Sequence, residues 1–495
     1  MVENNRKPIA SLNMFPQFTS MNVIDGQAGV IIYSSLICHS LTIDNILNII
    51  VLLILAGVTV ATLTGDNGLL TKAGEAKKAS EQANLEEEVK LALIEGQTDK
   101  YFNSNSNIQD KLKSIFEKSY GQGNIDVTKA GKNYKVKVKN TKTVYRIKSD
   151  GTVEKYEEMA PTNVYAKLDD NILRLRATNA DDDYKIYADS SSIVSSLNGT
   201  KTNVTTVDIE EPIAPITCSS MFMGLTNLSA IEKIENFHTE NSTSLHGMFN
   251  GCSNLIGLNL SSFDTSKVTS MGDMFQNCKK ISNIDLSNFD TSNVTTMTCM
   301  FYNCNSLTQI DVSHFDTKKV TKMDSMFCNC KLPEQIDVSN FDTAKVTTFG
   351  GMFSGCRNIK YMYLSNFNTS KATILTGMFL GCENLIGVDL SSFDTSIVGN
   401  MADMFQNCKK ISNIDLSSFN TSNVSNMSCM FLNCNSLEKI YVSNNFVTTK
   451  VINSNSMFTN TNNLVGGLGT ISSGGDATYA HIDEGESNPG YFTLK

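Results

Sequence analysis

Residues 248–273 read MFNGCSNLIGLNLSSFDTSKVTSMGD. The Met-Phe pair that opens this stretch recurs at 221, 248, 274, 300, 326, 352, 378, 404, 430 and 457. The interval is 26 residues throughout, with 27 at each end. So regular a period marks tandem structural units that cannot bury their apolar faces alone and do so by stacking. Leu255, Leu258 and Leu260 return as Ile281, Ile284 and Leu286 in the next copy. Leu258 and Leu260 stand two apart, so they face one side of a strand and Asn259 faces the other. Phe263 begins a further column: Phe289, Phe315, Phe341, Phe367, Phe393, Phe419 and Phe446. These rings are expected to form a stacked spine, with Val268, Met271, Met274, Phe275 and Cys278 as the facing wall. Asp264-Thr265-Ser266 offers an Asx turn or a helical N-cap. Each unit is therefore read as a short strand, a turn and a helical or irregular return.

A longer period lies over the short one. MFQNCKKISNIDLS occurs at 274 and again at 404, and MFNGCSNLIGLNLSSFDTS at 248 matches MFLGCENLIGVDLSSFDTS at 378. Both offsets equal five repeats, so a five-repeat block has been duplicated. That history suits a scaffold of adjustable length better than an active site, which needs one unique constellation. Leu255-x-x-Leu258-x-Leu260 is the pattern of a leucine-rich repeat. The ten copies of MFxxCxxLxxIDLSxFDTSxVTxM, with the closing YAHIDEGESNPGYFT, resemble the BspA-like leucine-rich-repeat surface proteins from Thr217 to Lys495. The resemblance implies a bacterial surface location and a binding or adhesion role. The expected fold class is α/β: a leucine-rich-repeat-like solenoid of ten 26-residue repeats over 217–462, with a C-terminal cap over 463–495. A transmembrane helix and a small α+β domain are expected ahead of it.

Residues 1–45 read as an irregular leader. The run Ile46 to Leu63, ILNIIVLLILAGVTVATL, holds 18 residues without a charge. That is long enough to cross a bilayer, and a transmembrane helix is expected over 46–64. Leu69 to Glu95 is rich in Ala, Glu, Lys and Leu, all good helix formers. A shorter helix is expected over Ile108 to Lys118. Then the period changes to two. YKVKVK at 134–139 and VYRIK at 144–148 alternate strictly, and Lys148-Ser-Asp-Gly151 signals a turn before Val153 to Tyr156. Residues 65–158 thus read as a helix plus β-meander. IIVLLILAGVTVATLTGDNGLLTKAGEAKK resembles the type IV pilin-like leader of surface proteins of Gram-positive anaerobes. That family's leader is short, basic and ends in Lys-Gly. Here no Lys or Arg lies within 20 residues upstream of Ile46, so the expectation is that a misplaced start or a frameshift has replaced the leader. Residues 159–216, with VYAKL and ILRLRAT as strands, read as a β-rich transition that caps the first repeat.

The net charge of -9 removes the electrostatic case for nucleic acid. Eight of the 13 cysteines recur every 26 residues, from Cys252 to Cys434. Such a column is read as packed free thiols. No CxxC pair occurs, so the strong zinc signal is missing, and no metal or cofactor is expected. The five histidines assemble no Ser/His/Asp or Cys/His arrangement, and GxGxxG and P-loop patterns are absent. The chain is read as a non-enzyme with no catalytic residue.

What remains is a surface. The outward strand column reads Asn259, Asp285, Asp311, Asp337, Tyr363, Asp389, Asp415, Tyr441. Stacked carboxylates about 5 Å apart repel by roughly 1 kcal/mol per pair at water-like screening. A bound Ca²⁺ would relieve them, and so would water and the adjoining Ser column. Tyr363 and Tyr441 break the acidic rule, and Tyr361 shares a strand face with Tyr363 beside Lys360. These tyrosines either fill β-prone positions or anchor a partner. The expected ligand-binding set is Lys360, Tyr361, Tyr363, Tyr441, Asp285, Asp311, Asp337, Asp389 and Asp415. The expected role is a membrane-anchored, single-pass cell-surface adhesin that meets an extracellular protein or cell-surface macromolecule. The alternative is a minor pilin-like subunit that carries the repeats as cargo.

Overall fold

A computed structural model describes residues 69–101, 107–178, 185–187, 193, 195, 197 and 199–495. The chain divides into two compact units, 1–83 and 84–495. Helix α1 (Leu69–Tyr101) begins in the first and ends in the second. An exposed ion pair, Lys77 with Glu81 at 3.9 Å, joins successive turns of its first half. Farther along, Val89, Ala92 and Leu93 are buried. Helix α2 (Ile108–Tyr120) is capped by Asn107, whose side chain accepts from the Gln109 N–H, and it stops at Gly121 with φ 86°. It buries Leu112 and Phe116.

The period-two segments that follow form one antiparallel sheet in sequence order: β1 (Ile125–Ala130), β2 (Asn133–Val138), β3 (Thr143–Ile147) and β4 (Val153–Glu157). Tyr134, Val136 and Val138 of β2 and Tyr145 and Ile147 of β3 are buried at alternate positions, while Val144 is buried on the other face of β3. The first strand, IDVTKA, lacks clean alternation and was not foreseen.

A second sheet leads into the repeats. β5 (Val164–Asp169), β6 (Ile172–Arg176), β7 (Lys185–Tyr187), β8 (Thr206–Ile209) and β9 (Ala230–Glu232) lie in the order β7-β5-β6-β8-β9. Its pairings switch from antiparallel to parallel at β6–β8. Val164, Leu173, Leu175, Val207 and Ile209 belong to the same continuous core as the repeats.

In the repeats the periodic residues bury as columns. Met274, Phe275, Cys278, Val294 and Met297 are 0–1% exposed, and so are their counterparts in the five following repeats. The Phe263 column stacks at Phe393 and Phe419, but it is not the continuous aromatic spine. That spine is the Phe of each Met-Phe pair: Phe222, Phe249, Phe275, Phe301, Phe327, Phe353, Phe379, Phe405, Phe431 and Phe458. Successive centroids lie 5.5–6.2 Å apart. The reason is in the backbone. The N–H groups of Met271, Asp273, Phe275 and Asn277 donate to Thr296, Thr298, Met300 and Tyr302 of the next repeat. Phe263 and Phe289 instead donate within their own turn, to Leu260 and Leu286. Rings stack closely where the main chain is tied from one repeat to the next.

Three polar devices complete each repeat. The Cys278 thiol donates to the Phe249 carbonyl at 3.1 Å, and the column repeats this down to Cys434 on Phe405 at 3.0 Å. Buried Thr265 donates to the Asp290 carbonyl and accepts the Asp290 N–H, joining neighbours twice. Asp264 accepts the Ser266 N–H, so Asp-Thr-Ser forms the Asx turn and not the N-cap. Two positions per repeat have positive φ, such as Asp273 (56°) and Asn277 (60°). That explains why Asn or Gly always precedes the column cysteine: both tolerate the left-handed region.

The expected α/β leucine-rich-repeat-like solenoid is therefore corrected. Every residue of 217–495 is described and none is α-helical. Two left-handed residues and an Asx turn in each repeat leave no room for a helical return. Nor does one continuous sheet run along the LxxLxL segments. β10 (Tyr361–Tyr363) pairs with β11 (Gly387–Asp389), while β12 (Asn413–Leu416), β13 (Lys439–Val442) and β14 (Thr493–Leu494) form a separate parallel sheet. The longest ladder lies elsewhere. Single parallel bridges join Ser244, Ser270, Thr296, Lys322, Thr348, Ile374, Asn400, Asn426 and Asn453 in turn.

The expected single-pass membrane anchor at the cell surface is corrected as well. Among the described residues no helix is long and apolar enough to cross a membrane. α1 fails because its run of Lys and Glu residues would have to be desolvated. The apolar run at 46–64, to which the transmembrane helix was assigned, lies outside the described residues, as does the 1–45 leader.

Candidate functional site

The small sheet β1–β4 rests against the early repeats. The Lys132 N–H donates to the Ser287 carbonyl at 2.8 Å, and the Lys132 ammonium pairs with Asp311. Arg146 Nη2 donates to the Ser262 carbonyl at 2.9 Å. Lys135 Nζ lies 2.6 Å from Asp264 Oδ2 and 3.0 Å from Glu158 Oε1. Burial alone would raise the Asp264 carboxyl, but Lys135 and the Ser266 hydrogen bonds overcome it and hold it below its ordinary 3.8. At the other end of the repeats, β14 pairs with β13 and the Lys495 ammonium reaches Asp415. A lysine thus sits on the acidic column towards each end, Lys132 on Asp311 and Lys495 on Asp415, and the column is open between.

The carboxylates of that column are tied down locally. Asp285, Asp311, Asp337, Asp389 and Asp415 each accept the N–H of the serine two residues on, at 2.9–3.0 Å. Burial would raise Asp311, yet hydrogen bonds from Lys132 and Ser313 bring it down to about 2. The Ser339 side chain and N–H lower Asp337. In Asp415, Lys495 and Ser417 outweigh burial and lower it too. Serine and lysine donors thus relieve the repulsion between neighbours. Among the described residues no three His, Cys, Asp or Glu side chains gather as metal ligands do.

All twelve described cysteines are free thiols, and all but Cys299 and Cys429 are buried. Burial pushes the Cys382 and Cys434 thiols up to about 12. They are poor nucleophiles in the folded chain. Burial also lowers His314, whose Nε2 lies 2.9 Å from the Leu286 carbonyl.

The tyrosines lie in the open stretch. β10 alternates exposed, buried, exposed: Tyr361 and Tyr363 are 43% and 58% exposed, and Met362 is buried. Tyr361 pairs in register with Gly387, and its ring lies 3.6 Å from where a Cβ on that glycine would stand. That is ordinary van der Waals distance, so the ring packs beside the glycine without crowding it. Lys360 Nζ meets Glu334 Oε1 at 2.5 Å. Tyr441 is half-buried and stands apart, between Asp415 and Thr493 in the three-stranded sheet. Of the expected set, then, Lys360, Tyr361 and Tyr363 come together with Asp337 and Asp389 on either side.

Sequence reading missed a groove beside them. Its volume is about 360 Å³, and Thr308, Lys331, Pro333, Glu334, Asn358 and Asn384 line it. The cause is Pro333. In the flanking repeats this position holds Leu307 and Ile359, which are buried and donate their N–H to Cys304 and Cys356. Proline has no N–H to donate. The apolar place passes to Leu332, one residue early, and Leu332 is buried while Pro333 is not. Glu334 bonds onward, its carbonyl accepting the Lys360 N–H at 2.8 Å, but the bridge Asn283–Gln309 is not continued to Gln335. The signal in the sequence was the one proline among the Leu and Ile residues of that column.

These features define a tandem-repeat protein with turn-rich repeats that hold no α-helix, one of them broken to form a groove. The family described as "Mycoplasma protein of unknown function, DUF285" matches residues 216–336, 280–362, 305–387 and 351–469. Together these spans cover 216–469, more than half of the chain, and the chain belongs to that family. No curated protein matches it.

Proposed function

We propose that this chain is a non-enzymatic binding protein whose repeats present Tyr361, Tyr363 and the groove at Pro333 to a macromolecular partner. The observation that carries this reading is the exposed pair Tyr361 and Tyr363, the second of them in a column that otherwise holds Asp or Asn except at Tyr441. Tyrosine supplies large contact area with a polar tip at low entropic cost, which suits a binding anchor. The resemblance of the repeats to BspA-like surface proteins supports an adhesion or recognition role. Long buried columns suit the task because they hold a rigid face at little risk from changes in surface residues.

A second reading has one specific observation in its favour. α1 followed by a four-stranded meander has the order of elements expected of a pilin-like segment. On that reading the chain is a minor pilin-like subunit and the repeats are cargo.

The test is the double variant Tyr361→Asp/Tyr363→Asp in the full chain, measured against extracellular-matrix proteins and cell-wall polymers. Both side chains are exposed, so the melting temperature should stay within a degree or two, for a change of about 0.5 kcal/mol or less. Partner binding should fall by about tenfold or more. Unchanged binding with unchanged stability would move the site elsewhere.

A further inference from the structure

The groove has features that restrict what it can hold. It is narrow, and its volume lies at the low end of the roughly 300–1,000 Å³ typical of small-ligand clefts. Its lining is mostly amide, hydroxyl, carboxylate and ammonium, with Leu332 and Pro333 as the apolar part. Asn384 Nδ2 is fixed on the Arg357 carbonyl at 2.7 Å, and Glu334 and Lys360 are held together, so two walls are pre-set. Lys360, which lines the groove, is followed in the chain by Tyr361, whose ring lies beside Gly387. Gln335 and Asp337 precede the two tyrosines by one repeat, and Gly387 and Asp389 follow by one. The rings therefore stand in a mainly polar surround, with exposed Ile386 as an apolar edge.

We infer that this groove and the Tyr361 ring bind a pyranose segment of a glycan. The inference rests on the reading of the same patch as the binding site and adds the chemistry of the occupant. An aromatic face is electron-rich, and the C–H face of a pyranose carries partial positive charge, so the two stack. The hydroxyls around a sugar ring each donate and accept. They need neighbours of both kinds: the amides of Asn358 and Asn384, the Glu334 carboxylate and the Lys360 ammonium supply both. A folded protein partner fits less well. A standard protein interface buries about 1,600 Å² around an apolar centre, and here the concave part is small and polar.

The experiment is a glycan array spanning hexoses, N-acetylhexosamines and uronates, probed with the full chain, followed by solution titration of any bound oligosaccharide. With 15 tyrosines and no tryptophan, tyrosine emission reports stacking directly. The expected result is saturable binding with altered tyrosine emission. Tyr361→Ala should weaken it by about tenfold or more. Leu332→Asn with Pro333→Leu restores the Asn-Leu pair of Asn384-Leu385 and should abolish binding by returning the apolar residue and its N–H to the column. No binding anywhere on the array overturns the inference, and so does binding that both variants leave intact. Capture of a protein that is lost in Tyr361→Asp/Tyr363→Asp, with no glycan bound, overturns the glycan assignment but leaves the patch as the binding site. Loss of neither protein nor glycan binding in that double variant overturns both.

Discussion

Residues 274–287 and 404–417 have the same sequence, MFQNCKKISNIDLS, and different secondary structure. In the second copy Asn413–Leu416 is a strand paired with Lys439–Val442, which pairs in turn with Thr493–Leu494. In the first, a single bridge from Asn283 to Gln309 is all that forms. Everything local is shared. Cys278 and Cys408 donate to the carbonyls of Phe249 and Phe379 at 3.1 and 3.2 Å. Ser287 and Ser417 bond Asp285 and Asp415 at 2.9 and 3.0 Å. The difference lies in the neighbours: KIYV and the chain's last residues beside one copy, QIDV and the Lys132 hairpin turn beside the other. Strand pairing is a property of adjacent chains, while turns and side-chain bonds travel with the peptide.

The sharpest way to break this comparison is to delete the same ring in each copy. Phe275→Ala and Phe405→Ala each remove a fully buried, doubly stacked ring and should cost about 3–5 kcal/mol in denaturant unfolding. Near-equal costs would place the stability in the columns. A much larger cost at Phe405 would place it in the sheet.

A smaller effect separates Asp264 from Asp394, which are again equivalents five repeats apart. Asp264 is buried against Lys135, whereas Asp394 is exposed and lowered by Ser396 hydrogen bonds alone. Asp264→Asn should cost about 1–3 kcal/mol at pH 7, and Asp394→Asn about 0.5 kcal/mol or less. The Asp264 carboxyl is depressed in the folded state, so its contribution is complete above its ordinary value of 3.8. That contribution disappears as pH falls through the lower, folded value. The gap between the two variants should therefore close in melts run into that acid range. A gap that persists there would mean that packing, not charge, ties β2 to the repeats.

The smallest effect is one of rate. Cys299 and Cys429 are also equivalents, half-buried where the column thiols are buried. Native labelling at pH 8 should mark these two first among the described cysteines. It should be slow, because burial, with the Asp273 carboxylate adding to it, pushes Cys299 up to about 11. Rapid labelling of Cys278 or Cys408 before unfolding would show that the column opens.

Periodicity alone determined a good deal of this protein. The 26-residue register, the buried Phe, Met, Val and Cys columns and the alternating strands of the small domain were all legible, because apolar spacing states which side chains must leave water. The pairing of Tyr361 with Tyr363 on one face was legible for the same local reason, whereas Asp-Thr-Ser read as either an Asx turn or an N-cap until the Ser266 N–H was seen to bond Asp264. Tertiary structure decided the rest. It set which Phe column stacks continuously, because only one lies on main chain tied between repeats. It excluded the helical return, because positive φ recurs twice per repeat. It also opened the groove at Pro333, since a missing N–H matters only where a neighbouring repeat expects the residue that carried it. Contacts between repeats are made by residues about one repeat apart, such as Thr265 with Asp290 and Cys278 with Phe249, and a pattern read along one chain cannot assign them until the repeats are stacked.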